Sequence, residues 1–192
     1  MNYSKKIYEF MNNNNGYITN KLTRELGIPS IYLSRMVGTN EIVRVERGIY
    51  ILPTYLDDEL YIFHLKHKRI IYTGSVALSL NGLSNTSIRK IEANIPLNYN
   101  PHRIENIKIN RVNDKLYNLG KTFLKTNFGN LVPTYDKERV ICDIYANNDL
   151  DLESVSFAIN KAISIGINYE KLYEYSKQIG VYEQVKYIWE IR

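Results

Sequence analysis

Residues 17–52 read YITNKLTRELGIPSIYLSRMVGTNEIVRVERGIYIL, and the punctuation of this stretch decides the fold. Tyr17-Ile18 is a short extended apolar pair. Thr19 carries a side-chain oxygen suited to capping a helix on which Leu22 and Leu26 share a face. Gly27 ends that helix, and Ile28-Pro29 makes a tight connection because a residue before proline avoids the helical region. Ser30 stands where it can cap the next helix, whose Leu33, Met36 and Val37 recur at i, i+3, i+4 and face inward. Gly38 and Asn40 stop it. Two β-rich runs follow, Ile42-Val43-Arg44-Val45 and Ile49-Tyr50-Ile51-Leu52, separated by the turn Glu46-Arg47-Gly48 and closed by Pro53. Upstream, Tyr3, Ile7, Phe10 and Met11 form one face of a helix over about residues 3–12, stopped by the asparagine run that ends at Gly16.

Two short helices joined by a glycine-containing turn describe a helix-turn-helix, and a hairpin directly after the second helix is the wing of a winged helix. The second helix of such a unit enters the DNA major groove with its first residues at base edges. Its outward residues here are Ser30, Tyr32, Ser34 and Arg35, suited to bases and phosphates. Arg44 and Arg47 lie on the wing, where phosphate or the minor groove is in reach, and Thr19 joins the candidate set at the start of the preceding helix. The competing reading is a small three-helix unit used only for protein contact.

Outward from this stretch, the sequence divides into a first domain, residues 1–55, and a second, residues 56–192. Asp57-Asp58-Glu59 opens a helix that runs to Lys66, Lys68 and Arg69, with carboxylates at its start and cations at its end as the helix dipole favours. Val76 to Leu80 is a short buried helix before Asn81-Gly82. Lys90 to Ile95 and Ile104 to Val112 alternate as strands. Phe123-Leu124 and Leu131-Val132 flank a turn at residues 127–130. From Glu138 onward the pattern is helical, with Gly166 and Gly180 as separators. The expected fold class is therefore α+β: a winged helix-turn-helix, then a mixed α/β domain with a sheet region at about 60–125 and a helical region at about 136–192.

The charge is uneven along this frame. The chain has 192 residues and a net charge of +5, from 25 Lys+Arg against 20 Asp+Glu. Residues 1–55 carry +3, residues 56–59 carry −3, residues 60–125 carry +8 and residues 126–192 carry −3. The front two-thirds thus suit a polyanion. Within the +8 segment, Lys90, Arg103, Lys108, Arg111, Lys115, Lys121 and Lys125 fall on strands and their loops as a candidate second basic surface, for flanking DNA phosphate or RNA. The plainer alternative is a solvated strand face or a blunted sheet edge.

Composition excludes several classes. The single Cys142 excludes an intramolecular disulfide and a thiolate-rich zinc site. No apolar run approaches the roughly 18 residues of a membrane span, and the charged first ten residues are unlike a signal peptide. The expectation is a cytoplasmic protein with no membrane partner. Twenty-two Asn, 25 Ile, 17 Tyr and 15 Lys, all with A/T-rich codons, point to a low-GC, bacterial genome.

Several segments resemble the AbiEi family of bacterial abortive-infection antitoxins. They are Gly16-Tyr17-Ile18-Thr19, Leu26-Gly27-Ile28, Tyr32-Leu33-Ser34-Arg35 and Val45-Glu46-Arg47-Gly48-Ile49-Tyr50 in the first domain. Asp58-Glu59-Leu60-Tyr61, Ala77 to Leu83, Phe128-Gly129-Asn130 and Tyr135 to Asp143 extend the likeness. Beyond residue 150 only the helical pattern matches. The resemblance implies a winged-helix autorepressor of its own operon, which binds double-stranded DNA at an inverted-repeat operator. It also implies a C-terminal domain that counters a nucleotidyltransferase-type toxin, in a phage-defence system, without a stable complex. The alternative is a protein-interaction module that neutralises the toxin directly, anchored by exposed Tyr and by Trp189 on the last helices.

Enzyme chemistry finds little support in the sequence. His64 and His67 are spaced to hold a metal but lack a supporting third ligand, so neither a metal nor any other cofactor is expected. Cys142 sits among Val140, Ile141 and Ile144 and reads as a small buried residue. Asp136 reads as a helix N-cap, and Asp143, an acid among apolar neighbours, should pair with Arg139 four residues earlier. A phosphate-binding glycine loop and a nucleophile elbow are both missing from the sequence. A non-enzymatic role is expected, with an activity through Asp143 as the weakest of three readings.

Overall fold

A computed structural model describes residues 2–88, 90–100, 104, 107–147 and 150–190. The chain divides into two compact units, one of residues 1–68 with 125–131, the other of residues 69–124 with 132–192. The sequence reading ends its first domain at residue 55. The first unit continues through a further helix and takes in a distant seven-residue turn.

In the first unit the elements run α1 (Tyr3–Asn12), β1 (Tyr17–Thr19), α2 (Asn20–Glu25), α3 (Ile31–Gly38), β2 (Val43–Glu46), β3 (Ile49–Ile51) and α4 (Glu59–Lys66). The three helices and the hairpin occur where the sequence places them, and the unit is helix-turn-helix-like. The strands form an antiparallel sheet in the order β1-β3-β2. Ile7, Met11, Ile18, Leu33, Met36 and Ile42 fill one core and are almost fully buried. Each such side chain contributes about 1.5–3 kcal/mol by leaving water. Asn15 and Gly16 both have positive φ, which lets the chain reverse between α1 and β1.

The turn at residues 125–131 is bound to this unit through one buried carboxylate. Asp58 caps α4 by accepting from Tyr61 N–H at 3.1 Å. Its other oxygen accepts from the Thr126 hydroxyl and, at 2.8 Å, from Asn130 Nδ2. Asp58 N–H in turn donates to the Tyr17 hydroxyl at 2.9 Å. Asn15 Nδ2 donates to Gly129 O and Asn130 Oδ1. Asp58 thus opens the helix as the sequence places it, and does so buried, at 1% exposed.

The second unit is built on a five-stranded mixed sheet of β4 (Ile71–Thr73), β5 (Glu92–Pro96), β6 (Lys108–Val112), β7 (Lys121–Lys125) and β8 (Leu131–Tyr135), in the order β6-β5-β4-β8-β7. β4 runs antiparallel to β5 and parallel to β8, and β5 runs parallel to β6. Helices α5 (Gly74–Leu80) and α6 (Asp114–Asn118) sit between strands. The chain continues as α7 (Lys137–Asn147), α8 (Leu152–Ser164), α9 (Tyr169–Ile179), α10 (Tyr182–Val185) and a 3-10 turn at Lys186–Trp189. Gly166 and Gly180 end α8 and α9 with φ near +90°, a conformation open to glycine at little cost. The core joins Ile71, Tyr135, Val140, Ile141 and Cys142 to Leu172, Val185 and Ile188 of the later helices.

Arg139 organises this core. It is 3% exposed. Its Nε donates to Asp143 Oδ1 at 2.8 Å, and its Nη1 donates to the carbonyls of Leu116 and Leu119 at 2.7 and 2.9 Å. Its guanidinium lies 4.5 Å from the Tyr135 ring centroid. Asp136 caps α7 by accepting from Arg139 N–H. Burial pushes the Cys142 thiol up to about 12, which leaves it an inert core residue at neutral pH. No helix among the described residues is long and apolar enough to cross a membrane.

Candidate nucleic-acid interface

Thr19 holds the start of α2: its hydroxyl oxygen accepts from Leu22 N–H at 3.2 Å, as capping requires. Thr23, fully buried, donates back to Thr19 O at 2.9 Å. Thr19 is half-buried and acts here in the fold, fixing where α2 begins.

α3 presents Ser34 and Arg35 to solvent, with Ser30 exposed just before it. Ser30 departs from its expected role. Its backbone is already helical, at φ −61° and ψ −18°, and its side chain makes no capping bond. The first turn is instead closed by the Pro29 and Ser30 carbonyls, which accept from Tyr32 and Leu33 N–H. Tyr32 also departs from the expectation of an outward residue. It is half-buried, with its ring 4.9 Å from that of Tyr3. Its outer face supports Arg35, whose guanidinium lies 5.4 Å from the ring centroid. A cation held over a ring loses less freedom on meeting a phosphate or a base edge than one free to sweep.

The hairpin of β2 and β3 carries the other two arginines. Glu46 closes its turn by accepting from Arg47 N–H at 2.8 Å, and its second oxygen binds Lys66 Nζ at 2.9 Å. These contacts hold the Glu46 carboxyl below the usual carboxylate range, the Arg47 N–H contributing most. With the acid so engaged, the Arg47 side chain is exposed. Arg44 is exposed on β2, and its Nε makes a long bond to Glu46 O at 3.4 Å. Neither wing arginine, nor Arg35, forms a salt bridge among the described residues. Asn20 N–H donates to Gly48 O at 2.9 Å and so links the turn to the start of α2.

Sequence reasoning missed three residues that shape this surface. Asn20 anchors the turn, and Lys66 neutralises Glu46. Lys68 lies near enough to Lys21 that burial of its amine and this like charge hold it below the usual lysine range. Lys21 and Lys68 are thus close enough to repel. Their separation in sequence, 21 against 68, left no local signal.

The candidate second basic surface is divided by the sheet. Arg111 is exposed on β6 and Lys121 on β7, the two outer strands in the order β6-β5-β4-β8-β7. Four strand spacings separate these edges, about 19 Å at roughly 4.8 Å each. Lys108, also on β6, is half-buried and pairs with Glu92 at 3.3 Å. Lys115 is exposed on α6, Lys90 is exposed before β5, and the Lys121 ammonium sits 5.4 Å from the Tyr117 ring centroid. Lys125 is exposed and clusters with the first unit. Arg103 lies outside the described residues.

Of the residues weighed for metal binding or catalysis, His67, Glu138 and Asp136 are engaged in the fold. His67 ends α4, buried, with its ring 4.6 Å from Phe63. Glu138 accepts from Asn168 N–H at 2.8 Å, and Asp136 binds Lys171 at 3.1 Å. No group of three or more His, Cys, Asp or Glu among the described residues is placed to hold a metal ion.

A comparison with protein-family models matches residues 8–53 to a family described as transcriptional regulator, AbiEi antitoxin. A search of curated proteins returns no match for the chain. The matched residues run from the second half of α1 through the hairpin, the segment that presents Arg35, Arg44 and Arg47. Over residues 8–53 the chain is similar to this family of antitoxin transcriptional regulators.

Proposed function

We propose that the first unit is a winged helix that binds double-stranded DNA and represses the chain's own operon. The observation that carries this reading is the pairing of α3, with Arg35 supported on Tyr32, and a glycine-turned hairpin that exposes Arg47. α3 enters the major groove with Ser30, Ser34 and Arg35 at base edges or phosphates, and Arg44 and Arg47 reach the flanking backbone or minor groove. Two such units bind an inverted-repeat operator, one on each half-site. Thr19 contributes through the position of α2.

The second unit carries the antitoxin role. On this reading it opposes a nucleotidyltransferase-type toxin in a cytoplasmic phage-defence system, without a stable complex and without an enzymatic activity of its own. A band-shift titration of the purified chain with the DNA upstream of its gene tests the first part, and a promoter–reporter fusion tests repression. Failure to shift that DNA in competition with random duplex would overturn the assignment.

One observation favours a second reading, neutralisation by direct contact. Tyr169, Trp189, Tyr182 and Tyr173 form a continuous series of ring contacts at 6.2, 6.1 and 5.4 Å. Aromatic clusters of this kind anchor protein interfaces. Co-purification of a stoichiometric complex with the neighbouring gene product would favour this reading over the first.

A further inference from the structure

The exposed face of α3 begins with an apolar residue that the fold does not use. Ile31, Ser34, Arg35 and Gly38 recur at i, i+3, i+4, i+7, so they share one face, and all four are exposed. On the opposite face Leu33 and Met36 are buried, and Tyr32 and Val37 pack against the same core. Ile31 is 52% exposed and is not among the described residues that fill or flank that core. A β-branched residue is also a weaker helix former than the alanine, leucine or glutamate suited to a solvated first turn. Neither burial nor helix propensity accounts for it.

The first residues of a helix lying in the major groove meet base edges. Ile31 is the first residue of α3, and Arg35 follows one turn later, about 6 Å along the axis. Every base pair presents hydrogen-bonding groups in the major groove, and thymine adds an apolar one, its C5-methyl. An isoleucine side chain neither donates nor accepts, so covering a hydrogen-bonding group would strip it of water without replacement. The thymine methyl is the one group it covers at a gain. The surrounding charge fits the same occupant: Arg35 shares the face, and Arg44 and Arg47 stand exposed on the hairpin.

We propose that Ile31 reads a thymine in each operator half-site by apolar contact with its C5-methyl. The inference rests on the proposed docking of α3 in the major groove and adds to it one base identity, set by packing rather than by hydrogen bonds. A methyl buried against Ile31 strengthens binding about fourfold, the effect of one methylene leaving water. The guanidinium of Arg35, supported on Tyr32, sits one turn away. The thymine therefore lies within about two base pairs of the base or phosphate that Arg35 meets.

The test replaces thymine by deoxyuridine, which lacks only the C5-methyl and keeps every hydrogen-bonding group. The full-length chain is titrated by band shift with the upstream DNA, with random duplex as competitor, and with duplexes carrying one such replacement at a time. One thymine in each half-site is expected at which the replacement weakens binding of the parent chain about fourfold. Ile31→Ala is expected to bind the thymine and deoxyuridine duplexes equally at that position, and Ile31→Val to retain part of the difference. Both variants are expected to keep the parent's urea midpoint. A difference that persists undiminished in Ile31→Ala would overturn the proposal. So would a parent chain that prefers the upstream DNA yet is indifferent to every replacement; the docking of α3 would stand in both cases. No preference for the upstream DNA over random duplex would overturn that docking and this inference together.

Discussion

Asn20 N–H meets the Gly48 carbonyl at 2.9 Å, so the turn of the hairpin and the first residue of α2 are one hydrogen-bonded assembly. The bond exists because Gly48 adopts φ +77°, a left-handed conformation that other residues enter only with strain. An added Cβ there would also lie 3.1 Å from Asn20 Nδ2. The placement of Arg47 therefore depends on a residue with no side chain.

Gly48→Ala is expected to destabilise the chain by about 1–2 kcal/mol, the cost of holding a non-glycine residue in that region. Urea unfolding measures this. Because the wing would also lose its fixed exit angle, the same variant should bind upstream DNA more weakly than its stability loss alone explains. A band shift on the folded protein separates the two effects.

Asp58 offers a second check, on how the turn at residues 125–131 is held. Asp58→Ala leaves Tyr61 N–H, the Thr126 hydroxyl and Asn130 Nδ2 without their acceptor. A loss of about 2–3 kcal/mol is expected, since each buried unsatisfied group costs roughly 1–3 kcal/mol and part is recovered by relaxation. Limited proteolysis should then cut within residues 125–131, where the parent chain resists. A variant as stable and as protected as the parent would contradict the role given to Asp58.

His67 sets an acid dependence. Burial first, and then the positive charge of Lys66, hold its imidazole below its ordinary value of 6.5. A base whose folded pKa is depressed stabilises the fold above the unfolded value and loses that stability as pH falls through the folded one. The first unit should therefore weaken as pH drops below about 6.5. His67→Leu should flatten that slope, read from urea midpoints between pH 7.5 and 5. An unchanged slope would mean that another group titrates there.

The first fifty residues were legible because their signals are local. Gly27, Pro29, Gly38 and Gly48 mark the ends of elements, and Leu33 and Met36 mark an inward face. Ser30 and Tyr32 were misjudged for a physical reason: a cap and a surface aromatic look the same in sequence whether or not a neighbour competes. Here Pro29 supplied the closing carbonyl and Tyr3 took up the Tyr32 ring. The second unit was harder to read. β4, at the centre of its sheet, is only three residues long, too short for a period. The assignment of residues 125–131 to the first unit rests on Asp58 meeting Thr126 and Asn130, 68 and 72 residues away. The Arg139–Asp143 pair was legible because four residues is one helical turn. The basic set from Lys90 to Lys125 was legible as charge but not as surface, since strand order alone decides which edge each residue occupies.

The central claim is that α3 and the hairpin form the DNA-binding face. A salt-controlled band-shift titration of the upstream DNA with Arg35→Ala, Arg47→Ala and the double variant tests it most directly. Each single change should weaken binding by about 1–3 kcal/mol, roughly 5- to 150-fold, with Arg47→Ala also lowering the salt dependence. The double variant should approach binding to random duplex. Affinity for the upstream DNA equal to that of the parent chain in both single variants would place the DNA-binding face elsewhere.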